Sequence, residues 1–265
     1  MPEKYTEMDY SDRLVAFVDI LGFQQLISQG NAEALASINI IDGNLQHVID
    51  IVQREHNEVF SIRLFSDCIC ISSDYTTENL FYMVFELAFI QFIMSCDGIF
   101  LRGALSRGNH FENDRMIFSK GLVTAYHLEN KAIYPRIVID SPLIDSIMND
   151  NNFYAPYYIQ ERTRNFVIQS PDRYYSVDYL NCLYQEGIDE IEALERHKNS
   201  IETAAKHNLL DSRITDKYRW LAEYHNCKVT EFVCPDDYEE PYLSEILQST
   251  TINITEIFPN FKKME

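Results

Sequence analysis

Hydrophobic positions along this chain fall into a short unbroken run, then into helical spacing, then into two more short runs. Residues 13–20 read as a strand, Val15-Ala16-Phe17-Val18-Asp19-Ile20, and an unbroken apolar run of this length marks a strand buried on both faces. Leu21-Gly22-Phe23 then turns the chain into a short helix. Leu35, Ile38, Ile41, Leu45, Val48, Ile49 and Val52 recur at helical spacing. They predict a long amphipathic helix over 31–56, with Gly43 as its weak point. Two strands follow at 59–65 and 68–72, and the tight Ser66-Asp67 link makes a hairpin of them.

Thr76 or Thr77 caps the next helix, with Glu78 in its first turn. That helix runs over 80–94 and closes at Asp97-Gly98. A strand over 99–106, a polar loop over 109–114, a short strand at 115–118, a helix over 121–129 and a strand over 135–140 complete the pattern. Reduced to its core this is β-α-β-β-α-β, the ferredoxin-like order of an α+β fold. Right-handed crossovers place both helices on one face of the sheet. Beyond residue 150 the character changes. Tyr154, Tyr157, Tyr158, Tyr174, Tyr175 and Tyr179 surround short strands at 165–169 and 174–178. Helices are expected over 188–207 and 215–226, with Trp220 as a packing anchor, and the tail past Cys234 is acidic and less regular. The change predicts a first domain over 1–150 and a mixed strand and helix extension over 151–265 packed on it.

With 46% hydrophobic and 13% aromatic residues among 265, the chain has ample material for a core. No apolar run reads as long enough to span a bilayer; the stretch over 80–94 carries Glu86 and Gln91 and reads as a buried helix. No basic segment followed by an apolar one opens the chain, so a cytoplasmic protein without a membrane partner is expected. Six cysteines lack zinc-ligand or disulfide spacing and read as buried thiols. A formal charge of −19, from 22 basic and 41 acidic side chains, excludes broad nucleic-acid binding. It leaves room for an anionic small molecule held by a metal and a few local arginines.

The candidate chemistry lies in two aspartates. Asp19 closes the first strand and Asp67 sits at the hairpin. On neighbouring strands their carboxylates converge. Like charges about 4 Å apart repel by roughly 1 kcal/mol in water and about 4 kcal/mol near a protein surface. A divalent cation turns that repulsion into ligation, and Mg²⁺ commonly takes one or two carboxylates plus substrate phosphates. Two strand-end aspartates that merely cap turns give the same pattern. No His-x₃-His spacing and no nucleophile elbow offers a rival.

The run Phe17-Val18-Asp19-Ile20-Leu21-Gly22-Phe23 resembles the first metal motif of class III nucleotidyl cyclases. Phe65-Ser66-Asp67 is similar to their second, in which Gly-Asp is usual. Leu101-Arg102-Gly103-Ala104-Leu105-Ser106-Arg107-Gly108 resembles the strand that follows, and Gly121 through Leu128-Glu129 resembles the catalytic helix. The likeness covers about residues 13–140 and is nearest to bacterial stand-alone cyclase-like proteins, which include the pyrimidine cyclases of antiphage Pycsar systems.

The resemblance implies that Asp19 and Asp67, with the Ile20 carbonyl, hold two Mg²⁺ or Mn²⁺ ions while a nucleoside triphosphate closes to a cyclic mononucleotide. It implies a cytoplasmic homodimer that signals to a separate effector protein. The turn Leu21-Gly22-Phe23 opens a helix, whose free amides suit phosphate. Arg107 is the preferred phosphate-contacting side chain, because guanidinium matches phosphate oxygens bidentately. The base-sorting positions of the family fall on Arg63 and Phe118, which favours a pyrimidine. The catalytic helix departs from the family pattern: the usual asparagine and arginine read Val123 and His127. Val123 cannot hydrogen-bond a ribose. His127 offers positive charge only when protonated, and an unperturbed imidazole is mostly neutral at pH 7. Lys120 and Lys131 are the cations nearest in sequence. These departures carry the alternative, a catalytically degenerate nucleotide-binding or regulatory protein.

Overall fold

The computed structural model describes residues 10–28, 30–55, 60–148, 162–208, 211–233 and 241–258. Strand β1 (Ser11–Ile20) is flanked by β3 (Cys68–Asp74) and β4 (Leu101–Glu112), both antiparallel to it. Around them the sheet of eight strands runs β2-β3-β1-β4-β6-β8-β7, with β2 (Ser61–Phe65), β6 (Ile137–Ile139), β7 (Val167–Gln169) and β8 (Tyr175–Val177). β5 (Ile117–Ser119) pairs with the far end of β4. Only β4 and β6 run parallel among these pairs. The first four strands are in ferredoxin-like order, and β8 and β7 extend the same sheet from beyond residue 150.

The unbroken run in β1 has a simple cause. Leu14, Ala16, Val18 and Ile20 face one core, with residues of α2 (Asn31–Glu55) and α3 (Thr77–Cys96). Phe17 faces another, with Ala104, Val138 and two alanines of α4 (Lys120–Ala132). The two crossover helices α2 and α3 therefore share a face, and α4 covers the opposite one. Thr76 caps α3 by accepting the Asn79 N–H at 3.0 Å. α3 has 20 residues and is long and apolar enough to cross a membrane by length and composition, contrary to the expectation. Its most apolar window is 78% buried inside the protein. It packs between the sheet and α6 (Glu190–His207), with a 3₁₀ turn at Tyr179–Tyr184 beside it.

Six elements differ from the sequence reading. β4 continues through Glu112 where a polar loop was expected, because His110 and Asn109 pair with Ser11 and Asp12, and Glu112 pairs with Ile117. Among the described side chains of α2, Ile41 and Leu45 are buried, while Leu35 and Ile38 lie exposed. α7 (Ser212–Phe232) is longer than expected at both ends, and the tail beyond residue 240 forms α8 (Tyr242–Thr250) and α9 (Ile254–Ile257). α5 (Ser141–Met148) follows β6 as a short apolar helix. Tyr154, Tyr157, Tyr158 and Cys234 lie outside the described residues.

Close approach and aromatic stacking hold the layers in place. A Cβ added at Gly108 would lie 2.9 Å from the Gly121 nitrogen, and one at Gly121 would lie 2.8 Å from Val15 Cγ2. These two glycines press the start of α4 onto β1 and β4. Trp220 of α7 is stacked between Tyr134 and Tyr224, with ring centroids 5.6 and 5.5 Å away. Arg136, fully buried, donates to the Asp172 carboxylate and so ties β6 to the β7–β8 turn.

Candidate functional site

Strand register builds the site. Asp19 is the Cα partner of Cys68 on one side and of Arg102 on the other. All three side chains belong to the sheet face that α4 covers. Asp67 occupies the β2–β3 turn, where its carbonyl accepts the Ile20 N–H at 3.0 Å and so fixes the turn beside the end of β1. Ser66, the residue before it, has φ 61°, a conformation that favours glycine. A carboxylate oxygen of Asp19, one of Asp67 and the Cys68 sulfur all lie within 4.8 Å of one another. The Cys68 S–H points to Asp67 Oδ1 at 3.6 Å.

Arg102 spans the base of this cluster. Its Nη2 donates to Asp19 Oδ2 at 3.1 Å and also pairs with Glu129, a buried carboxylate on α4. Burial raises the pKa of Asp19, Arg102 opposes that rise, and Asp67 adds to it. Glu129 is raised by burial in the same way, against the pull of Arg102. The Cys68 thiol is pushed up to about 12 by burial and then by the two aspartates. Helix α7 brings Lys217, half-buried, into electrostatic contact with Arg102, Asp19 and Glu129. Arg102 engages one Asp19 oxygen, which leaves the other and the Asp67 carboxylate without an ion pair among the described residues. A hard divalent cation suits that oxygen-rich set.

The structure brings together some of the expected residues and separates others. Asp19, Ile20, Asp67 and the Leu21-Gly22-Phe23 turn share one end of the sheet. The Leu21 N–H, however, donates to the Phe100 carbonyl at 2.9 Å, so it is engaged within the fold rather than open to phosphate. Gly22, at φ 77°, makes the turn into α1 (Phe23–Ser28). Arg107 pairs in register with Leu14, five positions from the Asp19–Arg102 pair, or about 17 Å along the strand. Its side chain reaches Asp12 at 2.8 Å and stacks on Tyr75. Strand alternation puts it on the opposite face from Asp19. His127 and Val123 lie on the exposed side of α4, whose inward positions are Gly121, Ala125, Glu129 and Ala132.

Arg63 lies on the same face as Asp19 but is tied to Glu112 at 2.8 Å. Glu112 also accepts from Ser61 and Ser72 and contacts His110 Nε2 at 3.1 Å. Burial pushes Glu112 up, but the hydrogen bonds from Ser61, Arg63 and His110 outweigh it and hold its pKa below the usual range. Phe118 is exposed on the β4–β5 hairpin, 5.8 Å from the Tyr10 ring.

Four side chains join the cluster that sequence reasoning did not assign to it: Arg102, Cys68, Glu129 and Lys217. For the first two a signal existed. Alternation along β4 puts Arg102 and Arg107 on opposite faces, and a two-residue hairpin link forces Cys68 to be the first strand residue after Asp67. Nothing local marks Lys217, whose place depends on how α7 folds back over the sheet.

No protein-family model matches the chain, and no curated protein matches it. Among solved structures, a match is the crystal structure of a class III adenylyl cyclase-like ATP-binding protein from Pseudomonas aeruginosa, at 10% identity and a TM-score of 0.41. The alignment covers 70% of this chain and spans 40% of that one.

Proposed function

We propose that the protein is a cytoplasmic, metal-dependent nucleotidyl cyclase that converts a nucleoside triphosphate into a 3′,5′-cyclic mononucleotide and pyrophosphate. The observation that carries this reading is the meeting of Asp19 and Asp67 carboxylates from two neighbouring strand ends, within 4.8 Å, beside a glycine turn that opens a helix. Asp19, Asp67 and the Ile20 carbonyl would hold Mg²⁺ or Mn²⁺. Two bound ions supply activation of the nucleophile and neutralisation of the leaving oxygens. The ribose 3′-hydroxyl oxygen attacks the α-phosphorus and gives its proton to solvent. The bond from that phosphorus to the β-phosphate oxygen breaks, and pyrophosphate departs.

The chain's own residues have distinct tasks in this scheme. The Gly22 and Phe23 amides receive phosphate oxygens at the helix mouth. Arg102, held by buried Glu129, fixes the Asp19 carboxylate in position and is a positioning residue. Arg63, exposed on the face that holds Asp19, is assigned to the base, with a pyrimidine favoured; Phe118, expected there as well, pairs with Phe111 and lies on the opposite face of the sheet. Residues 1–150 carry the chemistry and 151–265 form an extension packed on it. The protein acts as a homodimer whose product reaches a separate effector, as in Pycsar-like antiphage signalling.

A second reading is favoured by Val123 and His127, which lie on the exposed side of α4. In it the site binds nucleotide without turnover. The test is incubation of the protein with each of the four NTPs and Mn²⁺ or Mg²⁺. A cyclic product that is lost in Asp19→Ala and Asp67→Ala supports the cyclase. Binding of an NTP with no product from any of the four supports the second reading, and neither binding nor product overturns both.

A further inference from the structure

Helix α7 carries a cation for which the fold itself has no use. Lys217 is half-buried and makes no hydrogen bond or ion pair among the described residues. Asp19 and Glu129 attract it electrostatically, but both are already paired to Arg102. A partly desolvated ammonium without a partner is unfavourable unless something compensates it. Three carboxylates (Asp19, Asp67 and Glu129) face two cations here, Arg102 and Lys217, so the protein's own charges are close to balanced. Loading with divalent ions makes the site strongly positive and leaves Lys217 available to an anion.

The helix that bears it is firmly placed. Tyr218, the next residue, is buried with its ring 5.7 Å from that of Phe100. The carbonyl of Phe100 accepts the Leu21 N–H. Tyr218 also lines a cavity of about 830 Å³ together with Leu21 and Gly22. Tyr218 is thus set beside the same turn that we assign to the phosphates. Two residues further on, Trp220 is stacked between Tyr134 and Tyr224 and prevents the helix from sliding.

We propose that Lys217 is a phosphate-binding residue supplied within the same chain by the C-terminal extension, and that it provides the positive charge missing from α4 at position 127. Lys120 and Lys131, the cations of α4 itself, are exposed. This assignment rests on the reading of the site as a nucleoside triphosphate site. Charge shed onto the leaving pyrophosphate would be met by the Lys217 ammonium, with the Gly22 and Phe23 amides on the other side.

The test uses binding, so that turnover is not required. Full-length wild type, Lys217→Ala and Lys217→Arg are titrated calorimetrically with 3′-deoxy-ATP, -GTP, -CTP and -UTP in Mn²⁺, and with the corresponding monophosphates. Mn²⁺ alone is titrated in parallel. The expected result is a loss of at least tenfold in triphosphate affinity for Lys217→Ala, with monophosphate binding less affected, Mn²⁺ binding undiminished and an unchanged melting temperature. Lys217→Arg recovers most of the loss. Wild-type triphosphate affinity in Lys217→Ala overturns the assignment, as does an equal loss for tri- and monophosphate with a lowered melting temperature. If wild type binds none of the nucleotides, the nucleotide reading itself falls and this assignment falls with it.

Discussion

At the scale of single residues, the site is a set of local compromises around two carboxylates. Ser66 is held at φ 61° to place Asp67, a conformation that costs a non-glycine residue roughly 1–2 kcal/mol. Ser66→Gly is therefore expected to stabilise the protein by about 1 kcal/mol or less, since glycine also adds entropy to the unfolded chain. A urea midpoint shifted upward checks this, and a downward shift contradicts it. Arg102 has the opposite character. Its removal leaves Glu129 buried and unpaired. Breaking such a pair costs about 3 kcal/mol or more, so Arg102→Ala is expected to lose about that much in urea unfolding. The double variant Arg102→Met/Glu129→Gln should recover most of it. The two aspartates were legible because each ends an apolar run. The choice of Arg107 over Arg102 went wrong on parity: six residues of one strand hold both arginines, and only the even-numbered one shares the face of Asp19.

Elements were legible where packing and local pattern agree. β1, the β2–β3 hairpin, the Thr76 cap and α3 all follow from runs, turn residues and spacing. Elements whose existence depends on a distant partner were not. Three of the last four residues of β4, Asn109, His110 and Glu112, are polar, and this end becomes strand because the start of β1 and then β5 supply its hydrogen bonds. The exposed Leu35 and Ile38 show the reverse case, helical spacing without a surface to cover it. α4 docks through Gly108 and Gly121, which the sequence displays without saying that they meet. Gly108→Ala puts a methyl 2.9 Å from the Gly121 nitrogen, and backbone has little room to yield. A loss of about 1–3 kcal/mol is expected, the usual range for overpacking. Because Glu129 rides on α4, Mn²⁺ affinity should fall in the same variant; unchanged stability would mean that the helix is not pinned there.

For the molecule as a whole, the C-terminal helices are fastened to the core by a buried histidine pair. His225 Nε2 lies 2.7 Å from the Thr250 carbonyl, to which it can only donate. Its Nδ1 must then accept from His197 Nδ1 at 2.9 Å, and His197 Nε2 accepts from the Tyr179 hydroxyl at 3.0 Å. The chain of bonds leaves no place for an added proton. Burial lowers His225 to about 4, and it lowers His197 well below 6.5. Well above pH 6.5 both imidazoles are neutral, folded or unfolded, and contribute no pH dependence. As pH falls from 6.5 toward 4, the unfolded chain takes up protons that the folded one refuses, so stability is lost. Between pH 6.5 and 5.0 the loss is about 1.6 kcal/mol per histidine. Carboxylates titrate in the same range, so the comparison is between wild type and His197→Gln. The variant is expected to lose less stability over that interval, and an identical slope would contradict the neutral pair.

The meeting of Asp19 and Asp67 over shared metal ions is tested most directly by electron paramagnetic resonance of Mn²⁺ bound with a 3′-deoxynucleoside triphosphate. Wild type should show an exchange-coupled pair of ions about 3.5–4 Å apart, and Asp67→Asn should show at most a single uncoupled ion. Isolated Mn²⁺ signals of equal intensity in both proteins would contradict it.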